Sequence, residues 1–390
     1  METQQANQQV NLQRVSMHDL DNLASTAADV LSQVRDAMIE PHPRKVAPTF
    51  SSTAIAELCR VDKTQIKYLT QKHNLPAGQK PEGSKAKEYS LEDAITWVRA
   101  IGPYPSRPEN KAGKVIAVCN YKGGVAKTST TVALAQALTL RGLKVLVVDC
   151  DGQGTATQLI GISPEQDVEV EQTIMPYIHG DEADLRYAVQ ASYWTNLSVI
   201  PASSGLLAAE FAIPAKAMSQ RGFRFWEMLK IGLEPLREDF DLILIDTSPS
   251  LSHLTVNAMI AADGLMMPCP PDALDFASSV QFWGIFSELV DGLPNANEKH
   301  YDFISIIYTK VQANEISRLV KTWMKQAYGA HINGIEIPDS TAARTASAQL
   351  KTIYDLSKPD GSAEAYRRFK DPLDRLADYV LDQLAIAWRQ

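Results

Sequence analysis

The chain has 390 residues, with 38 Lys and Arg against 46 Asp and Glu, a net charge of −8 and 45% hydrophobic residues. Charged residues make up 22%, close to the globular norm, which excludes a wholly disordered, collagen-like or coiled-coil chain. At roughly 150 residues per domain, the length predicts two or three domains with room for a sizeable core. Cys59, Cys119, Cys150 and Cys269 stand singly, without metal-ligand or disulfide spacing. The opening METQQANQQV lacks the basic and apolar regions of a signal peptide, and no apolar run reaches the ~18 residues of a membrane span. A soluble cytoplasmic protein with no membrane partner is expected. The acidic total argues mildly against nucleic acid, but its distribution matters more.

Residues 1–40 carry two basic and six acidic residues, net −4. From Ser16 to Glu40, Leu20, Leu23, Ala27, Val30, Leu31, Val34 and Met38 recur at spacings of three and four, which predicts an amphipathic helix. Residues 1–45 are expected to form this leading helix, with dimerisation as its expected role. Three prolines in PHPRKVAP, residues 41–48, end it.

Residues 41–110 reverse the balance, with eleven basic and seven acidic residues, net +4. Here SSTAIAELCRVDKTQIKYLTQKHNLP predicts two short helices. Ser51 or Ser52 caps the first, Ala54, Ile55 and Leu58 face inward, and a turn through Arg60–Asp62 leads to the second with Ile66 and Leu69 inward. Lys63, Gln65, Lys67, Tyr68 and Lys72 are left outside. A Gly/Lys-rich hairpin with Lys85 and Lys87 follows, then a helix from Ser90 to Ala100 carrying Trp97. This order resembles the winged helix-turn-helix of the MerR type, whose second helix enters the major groove. That module is placed at 46–103, with a small helical protein-interaction module as the alternative. IGPYPSRPENKAGK, with three prolines, reads as a linker, set at 104–113.

Beyond it the pattern becomes α/β. Val115–Cys119, Val145–Val148, Leu197–Ile200, Leu242–Ile245, Leu265–Met267 and Phe303–Tyr308 are continuous apolar runs, as strands buried on both faces require. A mostly parallel sheet flanked by helices is predicted over 114–390. In VIAVCNYKGGVAKTSTTVALAQAL a strand ends at Cys119, and Lys122, Gly123, Gly124, Val125, Ala126, Lys127, Thr128 and Ser129 lead directly into a helix. Such a loop aims backbone N–H groups and a helix N-terminus at phosphate, while its glycines allow close approach. Lys127 would neutralise β/γ-phosphate oxygens and the Thr128 hydroxyl would ligate Mg²⁺. Two further strands end in acids: KVLVVDCD delivers Asp149 and Asp151, and DFDLILID delivers Asp246, a position for a carboxylate that holds the metal.

The string KGGxxKT[ST] is the deviant Walker A signature, here with Ala126 in the glycine position before Lys127. With the acid-ended strands in order, the chain resembles the ParA/MinD class of ATPases. Within that class it is similar to the large plasmid-partition ParA proteins that carry an N-terminal winged helix-turn-helix. PCPPDALDFASS, residues 268–279 and including Pro270, resembles the family's strand end, and Asn257 matches an Asn of the helix after the Asp246 strand.

The resemblance implies several roles. Lys127 binds phosphates in cis, and Lys122 reaches the partner's nucleotide in an ATP-bound homodimer. Asp151 positions the attacking water, Thr128 ligates the metal, and Asp149 and Asp246 support it. Pro270 lies on the nucleotide. The implied cofactors are ATP or ADP and Mg²⁺. The implied activity is slow ATP hydrolysis stimulated by a ParB-type centromere-binding protein. Non-specific DNA would bind the basic stretch around Lys310, Arg318, Lys321, Lys325, Arg344 and Lys351, and operator DNA the winged module, giving a nucleoid-associated protein. A MinD-like membrane regulator would end in a basic amphipathic helix, whereas DPLDRLADYVLDQLAIAWRQ is acidic on its polar face. The iron-protein alternative needs cluster-bridging cysteines that the strand-bound ones do not supply, and a terminal tyrosine cluster for an autokinase is missing. The competing reading is a nucleotide-gated repressor that hardly hydrolyses ATP.

Overall fold

The computed structural model describes residues 16–39, 45–83, 86–356 and 362–389. The chain divides into two compact units, Met1–Lys45 and Val46–Gln390. In the first, helix α1 (Met17–Ile39) follows a Ser16–Asp19 exchange in which each residue's backbone N–H donates to the other's side chain. Met17, Leu20, Leu23 and Val30 stand exposed along it. The side chains of Leu31, Val34 and Met38 lie outside the described residues, as does Lys85.

The second unit opens with strand β1 (Phe50–Ser51), helix α2 (Ser52–Cys59), a 3₁₀ turn at Lys63–Gln65, helix α3 (Ile66–Lys72), strand β2 (Glu88–Tyr89) and helix α4 (Leu91–Ile101). Ser51 caps α2 by accepting from the Ala54 N–H. Arg60 then reverses the chain in the left-handed region at φ 53°, and Asp62 caps the turn before α3. β1 pairs antiparallel with β2, and Gln79 bridges to Glu88, closing the hairpin. Ile55, Cys59, Ile66, Tyr89, Trp97 and Val98 form one small core, with the Trp97 Nε1–H donating to the Pro76 carbonyl at 2.8 Å.

The remaining elements build one layered α/β body. Its strands are β3 (Lys114–Val118), β4 (Val145–Cys150), β5 (Gln190–Ala191), β6 (Leu197–Ile200), β7 (Leu242–Thr247), β8 (Gly264–Cys269), β9 (Phe303–Val311) and β10 (Ile332–Pro338). They form a sheet in the order β10-β9-β8-β3-β7-β4-β6-β5, parallel throughout except for β5 at one edge. The helices are α5 (Lys127–Thr139), α6 (Thr155–Leu159), α7 (Met175–His179), α8 (Ala209–Ser219), α9 (Met228–Leu233), α10 (Leu236–Asp239), α11 (His253–Ala261), α12 (Ala273–Asp291), α13 (Glu315–Tyr328), α14 (Thr341–Ala348) and α15 (Ala363–Arg389). Two apolar clusters, one on each face, sandwich the sheet.

All six runs expected as strands are strands, and β5 and β10 are additional. β10 reads INGIEIP, with Gly334 at φ 75° and only Ile335 and Ile337 buried, so it lacks the continuous apolar signature. The acidic C-terminal stretch lies in α15, which buries Leu373, Leu376, Val380, Leu381 and Leu384 in the cluster shared with α5. Among the described residues no helix is long and apolar enough to cross a membrane.

The stretch 101–114 is anchored to the body rather than free. Tyr104 lies between two guanidinium groups, Arg60 at 5.3 Å and Arg141 at 5.5 Å from its ring centre. Both arginines bind Asp378 of α15, at 2.8 and 2.7 Å. Arg107 donates to Asp241 and to the carbonyls of Arg237 and Glu238. Leu91 and Ile95 of α4 join the body's core. Proline and glycine content reports the absence of helix or strand, not the absence of packing.

Candidate functional site

Parallel strands deliver their loops to one edge, and the chemistry gathers at the C-terminal ends of β3, β7 and β4. Val118 pairs in register with Asp246, and Asp246 with Asp149, so the two carboxylates lie side by side on neighbouring strands. Both are fully buried. The Oδ2 of Asp246 accepts from the Thr128 hydroxyl at 2.7 Å and its Oδ1 from the Thr131 hydroxyl at 3.0 Å. Asp149 spends its oxygens on the following turn: Oδ1 accepts from the Asp151 N–H, and Oδ2 from the N–H and hydroxyl of Thr157. Burial pushes both acids above the ordinary range, joined for Asp246 by the charge of Asp149 and opposed in each by threonine hydrogen bonds.

The loop between β3 and α5 wraps the entry to this edge. Asn120 braces it, donating to the Pro268 carbonyl and accepting from the Lys122 N–H. Lys127 is 6% exposed and its Nζ donates to the Lys122 carbonyl at 3.2 Å. Burial lowers its pKa, opposed by the charges of Asp246 and Asp151. Gly124 has φ 74°, and a side chain built there would meet nothing within 4 Å, so the space above the loop is open. Ala126 adopts φ 74° as the residue before α5, a left-handed backbone that glycine takes without strain.

A cavity of ≈ 450 Å³ opens over this loop. Its lining includes Gly123, Gly124, Ala126–Thr130, Asp151 and Pro249, together with Lys310 and Ile337–Ser340. The volume is in the range of small-ligand sites. The donors fit a triphosphate with a hard divalent cation: an open glycine loop, a helix N-terminus, a buried lysine, and a Thr128 hydroxyl bonded to a buried carboxylate. Among the described residues no cluster of three or more His, Cys, Asp or Glu side chains forms a cage of its own.

The expected site residues divide. Gly123, Gly124, Ala126, Lys127, Thr128, Ser129 and Asp151 line the cavity, with Asp149 and Asp246 beneath it. Lys122 points elsewhere, its Nζ 2.7 Å from Asp275 of α12. Val125 is buried, and its carbonyl accepts from the Thr309 hydroxyl at 2.9 Å. Pro270 lies past β8 and is not among the lining residues. Asn257 is buried in α11, accepting from the Leu229 N–H, which is a packing role. Thr131 and Thr157 were missed, although Thr131 follows Thr128 by three positions and so faces the same side of α5. The cavity-lining residues on β9 and β10 carried no motif at all.

On the proposed DNA faces, Lys63, Gln65, Lys67 and Tyr68 are exposed, with the Lys72 ammonium 5.6 Å from the Tyr68 ring centre. Lys87 donates to the Ala77 carbonyl. Lys321 pairs with Glu336 at 2.7 Å and Arg344 with Asp339 at 3.3 Å, while Lys325 stands exposed on α13. Arg344, Lys310 and Lys351 also line the cavity.

The fold and loop resemble those of ParA-type P-loop ATPases. An AAA-domain family model matches residues 113–297. The chain is 28% identical to Protein SopA of Escherichia coli K12 over 372 residues, spanning 92% of this chain and 94% of that one. A solved structure described as a partition protein superimposes with a TM-score of 0.65 over 94% of this chain and 98% of the other, at 20% identity, and shows the same fold. Cobyrinic acid a,c-diamide synthase of Mycobacterium smegmatis, solved with an ATP analogue and magnesium, matches at 25% identity and a TM-score of 0.54, covering 69% of this chain and 94% of that one. The resemblance to ParA-type partition ATPases, read first from one loop, thus runs along nearly the whole chain.

Proposed function

We propose that this chain is a plasmid or chromosome partition ATPase. Its ATP-bound homodimer binds non-specific DNA at the nucleoid, and a ParB-type centromere-binding protein stimulates its hydrolysis. The module at 46–103 acts as a winged helix-turn-helix that represses the chain's own operon. The observation that carries this reading is the joint presence, in one compact unit, of the Lys127–Thr128–Asp246 constellation and an exposed basic helix α3.

Bound MgATP supplies the γ-phosphoryl group and the metal's charge. Lys127, held at the loop, neutralises phosphate oxygens. Asp246 fixes the Thr128 hydroxyl where it can ligate the metal, and Asp149, bonded to the Asp151 N–H and to Thr157, backs it from the neighbouring strand. Asp151 lines the cavity and is the candidate for orienting water. Phosphoryl transfer asks mainly for positioning and charge, so this set is chemically sufficient. In the monomer Lys122 is neutralised by Asp275, and pairing with a second copy would exchange that carboxylate for the partner's phosphate.

The test is the ATPase rate of the full chain alone, with random DNA, and with the co-encoded ParB-type protein. Stimulation by the pair is expected. No stimulation by either would leave a nucleotide-gated repressor as the reading. For the DNA faces, Arg344→Ala and Lys321→Ala are expected to weaken random-DNA binding in ATP; normal binding by both would remove that face. Lys63→Ala and Lys67→Ala should each reduce the salt dependence of operator binding by about one unit of slope.

A further inference from the structure

We propose that Thr157 is a positioning residue for ATP hydrolysis: its hydroxyl fixes the Asp149 carboxylate, and that carboxylate fixes the turn that carries Asp151. This rests on the ATPase reading above and adds to it a residue from outside the phosphate loop. Thr157 is fully buried in α6, where its N–H belongs to the first turn and finds no helical carbonyl. That N–H and the Thr157 hydroxyl both donate to Oδ2 of Asp149, at 2.9 and 2.7 Å. The other oxygen of the same carboxylate, Oδ1, accepts from the Asp151 N–H at 3.1 Å. Asp149 is thus a bridge, held by Thr157 at one oxygen and holding Asp151 at the other. Asp151 closes its own turn, accepting from the Gln153 N–H at its side chain and from the Gly154 N–H at its carbonyl.

The direction of the hydroxyl bond follows from its other partner. The Ala202 N–H, just beyond β6, lies 2.9 Å from the Thr157 oxygen, and an N–H can only donate. The oxygen therefore spends a lone pair on Ala202, and its single proton goes to Asp149. The turn is braced against the same segment elsewhere. A side chain on Gly154 would run into the Ala202 carbonyl at 3.0 Å, and one on Gly152 would meet Leu207 at 3.1 Å. Within this packing the hydroxyl stops the Asp149 carboxylate from rotating about its terminal torsion, which is intrinsically broad. Valine has nearly the same shape and would leave Oδ2 with the backbone N–H alone. Asp151 would then face the cavity from a looser turn, and a displacement of about 1 Å can cost about 10²-fold in rate. Thr157 itself does not line the cavity, so nucleotide binding should not register the change.

The experiment uses the full-length chain with Thr157→Val, Thr157→Ala, Thr157→Ser, Asp151→Asn and a double variant combining Thr157→Ala with Asp151→Asn. MgATP affinity, single-turnover hydrolysis and thermal stability are measured, at a temperature where circular dichroism shows each variant folded. Thr157→Val and Thr157→Ala should each lower the hydrolysis rate by about 30–100-fold while the ATP Kd stays within about 2-fold of the parent's. Thr157→Ser, which keeps the hydroxyl, should recover the rate to within about 5-fold of the parent's. A lower Tm is expected with valine, because the Ala202 N–H loses its acceptor; the alanine variant carries the test if the valine one does not fold. The double variant should be no slower than Asp151→Asn alone, because Thr157 acts through that residue. Multiplied losses overturn the proposal. So do parent-like rates without the hydroxyl, a serine variant as slow as alanine, or a Kd that rises as the rate falls. If the parent binds or hydrolyses no ATP, or Asp151→Asn hydrolyses it at the parent's rate, the ATPase reading with its role for Asp151 falls first, and the two failures are told apart.

Discussion

At the catalytic edge Asp149 and Asp246 are fully buried, and their oxygens already accept from Thr128, Thr131, Thr157 and the Asp151 N–H. On α3 and the turn before it, Lys63, Gln65, Lys67 and Tyr68 instead stand in solvent. The first arrangement is preorganised: its dipoles are aimed before a ligand arrives, in a site dry enough for charge to count. The second leaves cations in water, where each can meet a phosphate at small cost and be screened again by salt. The two regions nevertheless share a boundary, since Leu91 and Ile95 enter the body's core and Arg60 and Arg141 clasp Tyr104. The charge distribution fits this division, because a chain of net −8 confines its local excess of +4 to residues 41–110.

Removing a group from the dry edge should have the largest effect. Lys127→Ala takes away a buried cation that already bonds the loop, and a fall of about 10²–10³-fold in kcat/KM for ATP is expected, the range for losing one preorganised charge. Operator binding by the module should change far less, as band shifts without nucleotide would show. Equal loss of both activities would break the comparison.

The next largest effect probes the module's own core. Trp97 is fully buried, stacks edge-on against Tyr89 at 6.2 Å and donates to the Pro76 carbonyl. Trp97→Ala should cost about 3–5 kcal/mol of local stability. Operator binding should vanish and protease sensitivity should appear within 46–103, with ATP binding retained. If ATP binding is lost in the same transition, module and body form one cooperative unit, and α4 is the element that joins them.

At the boundary the expected effect is smaller. Arg141 is 6% exposed and bonds Asp378, the Ala137 carbonyl and the Asp374 carbonyl. Arg141→Met keeps the apolar stem and removes the charge. Because Asp378 is partly exposed and can be re-solvated, the cost should be about 1–2 kcal/mol, below that of a fully buried pair. Hydrogen exchange around Tyr104 should quicken while the ATP Kd holds; unchanged exchange would mean that Leu91 and Ile95 alone dock the module.

How far the sequence was legible follows the same division. The loop from Lys122 to Ser129 and the acid-ended strands were readable because phosphate chemistry places specific residue types next to one another in the chain. Fully buried strands announce themselves as apolar runs, which is why six were found. β10 was not, since a half-exposed strand interrupted by Gly334 has no such run. The cavity lining outside the loop was invisible for a related reason: Lys310 of β9 and Pro338 of β10 come from different strands and meet only in the fold. The role of Tyr104 was hidden by its prolines, because contact with Arg60 and Arg141 is a fact of tertiary packing.

The smallest effect concerns the residue in which this loop departs from its signature. Ala126 sits at φ 74° and ψ 29°, and its carbonyl accepts the first helical bond of α5 from the Thr130 N–H. A non-glycine residue in this region bears about 1–2 kcal/mol of strain. Glycine would remove that strain but would cost about 0.4–1 kcal/mol through the freer unfolded chain. Ala126→Gly should therefore stabilise the protein by about 0.5 kcal/mol, a rise of roughly 1–2 °C in Tm for a body of this size. The Ala126 side chain lines the cavity, yet the carbonyl and N–H groups that face phosphate keep their places, so kcat should stay within about 2-fold. A lowered Tm would show that the methyl group packs favourably enough to outweigh its backbone. A large change in kcat at unchanged stability would show instead that the dry edge depends on this side chain, and that its preorganisation extends to the apolar atoms of the loop as well as to the charges beneath it.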